Sequence, residues 1–219
     1  MPSRITEESK ELFNSANIVS KFLALEQIYS AKELDTYLQT LQQKDADLTQ
    51  PNTTAVDVII LCASAILAIP EAVFEWATQQ QSCHNARKRN TVLVLCGGIG
   101  PCTPFVYDAI RASKKYSQIS EDVQGKPEGQ ILRTMAERFY RLDINFSKES
   151  SKYHGGFEII VSDRSTDCGA DALEARKSLD DYGINSPRSI TVLQDPAMSN
   201  RTVSSFEKVY REQQARIFA

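Results

Sequence analysis

Val92-Leu93-Val94-Leu95-Cys96-Gly97-Gly98-Ile99-Gly100-Pro101-Cys102-Thr103-Pro104 compresses a strand, a glycine turn and a helix start into one short stretch. Its apolar run is continuous rather than alternating, the mark of a strand buried on both faces, as strands of a parallel sheet are. The same β-rich character recurs at Val56 to Cys62, Phe157 to Val161 and Ile190 to Leu193. Helical spacing separates these runs. Pro70 suits a first turn, with Val73, Trp76 and Ala77 on one face, and Ile131, Met135 and Phe139 form a second stripe. Val203, Phe206, Tyr210 and Ile217 form the last stripe. Strand–helix alternation predicts one parallel, doubly wound sheet with strands near 56–62, 91–96, 157–162 and 189–194.

Ahead of this core, residues 6–28 read as a helix that Thr6 caps, with Leu12, Ala16, Val19 and Leu23 on one face. Ser30-Ala31-Lys32-Glu33 is a capping box that opens a second helix through Leu34, Leu38 and Leu41. Residues 1–50 are therefore expected to form a helical hairpin packed on an α/β domain of residues 51–219. The basic run His84-Asn85-Ala86-Arg87-Lys88-Arg89 and the polar stretch from Ser147 to Gly156 read as surface insertions.

Composition narrows the function. With 219 residues, 42% of them hydrophobic and 24% charged, the chain is of ordinary globular type. Lys and Arg number 25 against 28 Asp and Glu, a net charge of −3, so no electrostatic footprint for nucleic acid is present. The most apolar segment, Val58 to Pro70, is shorter than the roughly 20 residues that span a bilayer, and Met1-Pro2-Ser3-Arg4 opens no apolar export signal. The cysteines Cys62, Cys83, Cys96, Cys102 and Cys168 form an odd set without a C-x-x-C pair, which points to a reducing, cytoplasmic setting.

In an open α/β sheet ligands bind beyond the carboxyl ends of the strands, so the loops there carry the functional reading. Gly97, Gly98 and Gly100 run into Thr103-Pro104, a loop able to offer amides to an anion while Thr103 adds a hydroxyl. It lacks the lysine of a P-loop and the spacing of a dinucleotide fingerprint. The third strand leads into Ser162-Asp163-Arg164-Ser165-Thr166-Asp167-Cys168-Gly169, and the fourth into Gln194-Asp195-Pro196-Ala197-Met198-Ser199-Asn200-Arg201-Thr202. Asp163 and Asp195 thus fall at the same edge, and Glu128 opens the helix after Pro127. Arg201, in a helix's first turn, opposes the dipole and calls for a compensating anion or carboxylate. Thr166 and Asp167 also have the chemistry of a helix cap. Cys96, Cys102 and Cys168 read as free thiols.

These runs, in this order, resemble the YdcF-like branch of the SanA/ElyC/YdcF domain-of-unknown-function family over about residues 56 to 210. The Gln194–Thr202 motif is the most specific. The resemblance implies a Rossmann-like three-layer fold and a small-molecule site, with S-adenosylmethionine or another nucleotide-like molecule as ligand. Ser64, Gly97, Gly98, Gly100, Thr103, Ser165, Thr166, Asp167, Arg201 and Thr202 are the candidate ligand contacts. Asp163, Asp195 and Glu128 are the candidate acid–base groups. The sequence departs from the family pattern at Ala63-Ser64, Pro101, Asp167 and Ala170-Asp171, and few residues follow Tyr210 for the further sheet that the family adds. Two other classes stay open: a non-catalytic sensor or scaffold, and a metal-dependent hydrolase with Glu128, Asp163 and Asp195 as ligands.

Overall fold

The computed structural model describes residues 14–15, 18–19, 28–46, 56–82, 90–144, 152–213 and 215–219. The strands are β1 (Asp57–Cys62), β2 (Thr91–Cys96), β3 (Phe157–Ser162), β4 (Ser189–Leu193) and β5 (Arg216–Phe218). They form one sheet in the order β3-β2-β1-β4-β5, with every pairing parallel. The helices are α1 (Ala31–Ala46), α2 (Ala68–Ser82), α3 (Thr103–Ala112), α4 (Ser120–Val123), α5 (Glu128–Tyr140), α6 (Cys168–Asp181) and α7 (Ser199–Val209). This is the expected Rossmann-like α/β sandwich.

Alternate residues of each strand feed two cores, one on each face of the sheet. Ile59, Leu61, Leu93, Leu95 and Ile159 meet Val73, Phe74 and Trp76 of α2 and Ile131 and Met135 of α5. Val58, Ile60, Val92, Val94, Ile160, Ile190 and Val192 meet Ala172, Ala175 and Leu179 of α6 and Val203 and Phe206 of α7. The central strands β1, β2 and β4 are buried throughout, which explains their unbroken apolar runs.

Of the anticipated helical hairpin, α1 lies within the described residues. The Ser30 hydroxyl accepts from the Glu33 amide at 3.2 Å, and the Glu33 carboxylate accepts from the Tyr29 amide at 2.7 Å, close to the predicted box. Leu34 and Leu38 enter the core beside α2, and the Trp76 indole donates to Asp35 at 3.2 Å. The first helix falls outside the described residues except at 14–15 and 18–19, which are helical; there Ile18 and Val19 are exposed. The basic run of residues 84–89 lies outside them as well.

One sequence expectation is corrected. Ile217 keeps helical spacing from Tyr210, yet α7 ends at Val209 and Ile217 pairs with Ile190 in a fifth strand. Tyr210 caps the helix, a turn through residues 211–213 follows, and the apolar residue is used at the sheet's edge instead.

At the amino edge Asp57 is buried and accepts from Arg188 Nε at 2.9 Å and from the Ser189 hydroxyl at 2.7 Å, with a second contact to Arg188 Nη2. The pair ties β1 to β4. At the opposite edge the chain departs from β1 and β4 toward different faces, into α2 and α7. That divergence marks the topological switch point, where this architecture leaves a crevice.

Candidate functional site

The strand register places the three loops at one edge: Cys62 is level with Cys96, Cys96 with Ser162, and Leu61 with Leu193. Asp163 follows β3 at once and Asp195 comes two residues after the end of β4, at the same edge as anticipated, but β3 and β4 are separated by β2 and β1. Three strand spacings put their backbones roughly 14 Å apart. They serve different parts of a ligand rather than one reacting atom.

The glycine loop departs from its anticipated role. The Gly97 amide donates to the Ser162 carbonyl at 3.0 Å, the Gly98 amide to Ser165 Oγ at 2.7 Å, and the Gly100 amide to Thr103 Oγ1 at 2.8 Å. These N–H groups, expected to be open to an anion, are already bonded within the protein. The glycines are needed because neighbouring parts of the chain press against them. A Cβ on Gly98 would lie 1.6 Å from the Ser165 carbonyl oxygen, and one on Gly97, at φ 141°, would lie 2.7 Å from Glu128 Oε2. Thr103 is the first residue of α3 rather than its cap, which is Cys102.

Carboxyl groups flank this loop from both faces. On one side Glu128 opens α5; its amide donates to the Gly98 carbonyl at 2.9 Å and its Oε1 accepts from the Thr103 hydroxyl at 2.8 Å. Burial pushes its carboxyl up to about 7; the Thr103 hydroxyl opposes that shift and the charge of Asp171 adds to it. A carboxyl that exchanges its proton near neutrality suits general acid–base work. On the other side stands Asp171, in the first turn of α6. Burial raises its carboxyl too, against donation from Ser165 and Cys96.

Asp171 is not among the sequence candidates, where it stands only as a departure from the family pattern. Its surroundings are a buried polar row. Cys62, Cys96 and Ser162 are level on neighbouring strands, and Cys96 Sγ lies 3.8 Å from Asp171 Oδ1. The Cys96 thiol, lowered by a bond from Cys62, is raised further by burial and by Asp171, and ends above its ordinary value. The Ser162 hydroxyl, 2% exposed, is among the described buried polar atoms without a hydrogen-bond partner.

The remaining candidates build the loops. Asp163 is half-buried and accepts from the Gln130 amide at 2.7 Å. Ser64 is buried and donates to Asp195 Oδ2 at 3.1 Å across the switch point, while accepting from the Ile66 amide at 2.9 Å. Asp195 also organises its own turn, its Oδ1 accepting from the Ala197 amide at 3.0 Å. Asp167 caps α6 by accepting from the Gly169 and Ala170 amides. Its carboxyl is lowered first by those amides and further by Arg201, so Asp167 is a carboxylate of the kind that Arg201's placement called for. Thr166 is exposed, its carbonyl close to Gly100. Thr202 is fully buried and donates to the Met198 carbonyl at 3.1 Å, inside α7.

No protein-family model matches the chain. Among the described residues, no group of three or more His, Cys, Asp or Glu side chains is placed to hold a metal ion, so Glu128, Asp163 and Asp195 do not make a ligand set. No helix among them is long and apolar enough to cross a membrane.

Proposed function

We propose that this protein, as a YdcF-like member of its fold class, binds a small nucleotide-like molecule at the carboxyl edge of the sheet, with S-adenosylmethionine the leading candidate. The observation that carries the choice is the exchange of amides for acids. The N–H groups of Gly97, Gly98 and Gly100 are bonded internally, while Glu128, Asp163 and Asp195 stand half-buried at the edge. A triphosphate meets carboxylates there and finds those amides taken. A nucleoside with a ribose diol and a cationic amino-acid arm meets acceptors for its hydroxyls and counter-charges for its cations.

Apolar side chains stand on the same loops. Ile66 is 47% exposed after β1, Ile99 is 53% exposed after β2, and Phe105 is 63% exposed in the first turn of α3. Such surface suits a flat purine. Glu128 is the group best suited to acid–base chemistry on the bound molecule.

Calorimetric titration with S-adenosylmethionine and ATP side by side tests the reading. The expected result is saturable binding of S-adenosylmethionine, with ATP at least tenfold weaker. At one hundred times its dissociation constant the ligand raises stability by about 2.7 kcal/mol, which a melting curve registers. Tighter ATP binding overturns the charge argument, and failure of both nucleotides together with adenosine favours the scaffold reading.

A further inference from the structure

Thr103 stands among the candidate ligand contacts, yet it is 1% exposed and its hydroxyl is engaged on both sides. The Gly100 amide donates to Thr103 Oγ1 at 2.8 Å, and that hydroxyl donates to Glu128 Oε1, also at 2.8 Å. A threonine hydroxyl has one proton to give, and among the described residues Glu128 Oε1 is its acceptor, so the chain runs one way, from backbone to acid. The main chain is tied as firmly. The Thr103 amide donates back to the Gly100 carbonyl at 3.2 Å, and the amides of Glu128 and Gly129 donate to the carbonyls of Gly98 and Gly97 at 2.9 and 2.6 Å. The glycine loop therefore grips Glu128 twice, by its backbone and by one carboxyl oxygen. Helix capping does not account for the threonine: the cap position belongs to Cys102, and the Thr103 hydroxyl turns to α5 instead.

The second carboxyl oxygen is left over. Oε2 takes no hydrogen bond among the described residues and is not one of their buried unpartnered side-chain atoms, so it keeps access to solvent beside the loop. A Cβ on Gly97 would lie 2.7 Å from it, and the glycine keeps that approach clear.

We infer that Thr103 is a positioning residue: it does not touch the ligand but holds Glu128 Oε1, so that Oε2 is the oxygen the bound molecule meets. The inference deepens the reading of the carboxyl edge as the binding site and rests on it for its functional meaning. With Thr103 donating to Oε1, a proton taken up by the carboxyl sits on Oε2. Ionised, Oε2 accepts from a hydroxyl or an amine of the ligand; protonated, it donates to an acceptor there. Proton exchange is thus confined to the oxygen that faces the ligand.

The ionisable groups that share an electrostatic interaction with Glu128 are Tyr107 of α3, Cys96 of β2 and Asp171 of α6. Its neighbour Gln130 engages Asp163 in the loop after β3. The Thr103 bond favours the ionised carboxyl and so opposes the upward push of burial. Its loss must raise the Glu128 midpoint.

The test is carboxyl carbon NMR titration with amide hydrogen exchange on wild type, Thr103→Val and Thr103→Ser, each first shown by its melting curve to be folded. Valine keeps the size and branching without the hydroxyl, and serine keeps the hydroxyl. The expected result is a higher Glu128 midpoint and at least tenfold faster Gly100 exchange in Thr103→Val, with both returned toward wild type in Thr103→Ser. An unmoved midpoint in Thr103→Val overturns the inference, as does a serine variant that behaves like valine. If Thr103→Val does not fold, wild type decides: the Gly100 amide shift should follow the Glu128 titration through Thr103, and a flat response overturns the inference. A second arm measures S-adenosylmethionine affinity against pH. Its profile should move with the Glu128 midpoint in Thr103→Val; an equal loss at every pH makes Thr103 a direct ligand contact and overturns the inference. Failure of wild type to bind S-adenosylmethionine counts against the functional reading, while the titration and exchange still decide the role of Thr103.

Discussion

Gly98 and Ser165 occupy space that neither can yield: a methyl group on Gly98 would lie 1.6 Å from the Ser165 carbonyl oxygen. The obstacle is backbone rather than a flexible side-chain tip, so relief requires moving one of the two loops. Gly98→Ala is expected to cost more than about 3 kcal/mol, above the usual range for an overpacked methylene. Gly125 supplies the control. Its φ is +76° but a side chain there meets open space, so Gly125→Ala costs only about 1 kcal/mol of backbone strain. Urea denaturation of both variants checks the contrast. Bulky replacements at Gly98 thus probe folding before they probe any ligand.

Stability should depend on pH through Glu128. Its carboxyl is raised from 4.5 to about 7 in the folded protein, so between those values the native state binds more protons than the unfolded chain. The contribution is fully present below about 4.5 and is lost as pH rises through about 7. Its size is at most ~3 kcal/mol. Glu128→Gln should flatten this part of the profile, and melting temperatures from pH 4.5 to 8.5 on both proteins measure it.

Asp195 holds the switch point together by accepting from Ser64 and from the Ala197 amide. Asp195→Ala removes both bonds and is expected to cost about 1 to 2 kcal/mol. Ser64→Ala removes only the bond across the crevice and should cost about 1 kcal/mol. If the crevice receives the ligand, Asp195→Ala should also weaken S-adenosylmethionine binding at least tenfold in a protein that calorimetry shows to be folded. Unchanged affinity would move the ligand toward Glu128 and Asp163.

The Asp57–Arg188 pair at the amino edge predicts a third kind of effect. Asp57 is 6% exposed and also accepts from Ser189, so Asp57→Ala removes a buried carboxylate that two neighbours donate to. The expected loss is about 3 kcal/mol, the low end for a partly buried pair. A double-mutant cycle with Arg188→Ala isolates the coupling, and it should leave ligand affinity unchanged because the pair lies at the far edge of the sheet.

Much of this fold was legible because parallel strands advertise themselves: β1, β2 and β4 are buried on both faces and so carry no polar alternation. β5 was not legible. It spans only Arg216–Phe218, half-buried, and Ile217 happens to keep helical register with Tyr210. The loops of the site were found because each follows a strand. Their chemistry was harder to read, since glycines that admit a ligand and glycines that admit a neighbouring loop look alike in one dimension. Gly98 became interpretable only with Ser165 against it. Asp171 was hidden for a similar reason: the Cys96 thiol beside it comes from a strand 75 positions away in the chain.

The strand order also dictates when the fold can close. β1 stands at the centre of the sheet, yet its partner β4 begins 132 positions after it, as the Asp57–Ser189 bond records. At ribosomal speeds of about 5–20 residues per second, β1 waits on the order of ten seconds for that partner. During the interval one edge of this buried, largely apolar strand has no neighbour to pair with, the condition that invites pairing between chains. Assembly is therefore late and non-local, and the yield of soluble protein should respond more to temperature and chaperone supply during synthesis than to the stability of the finished sheet.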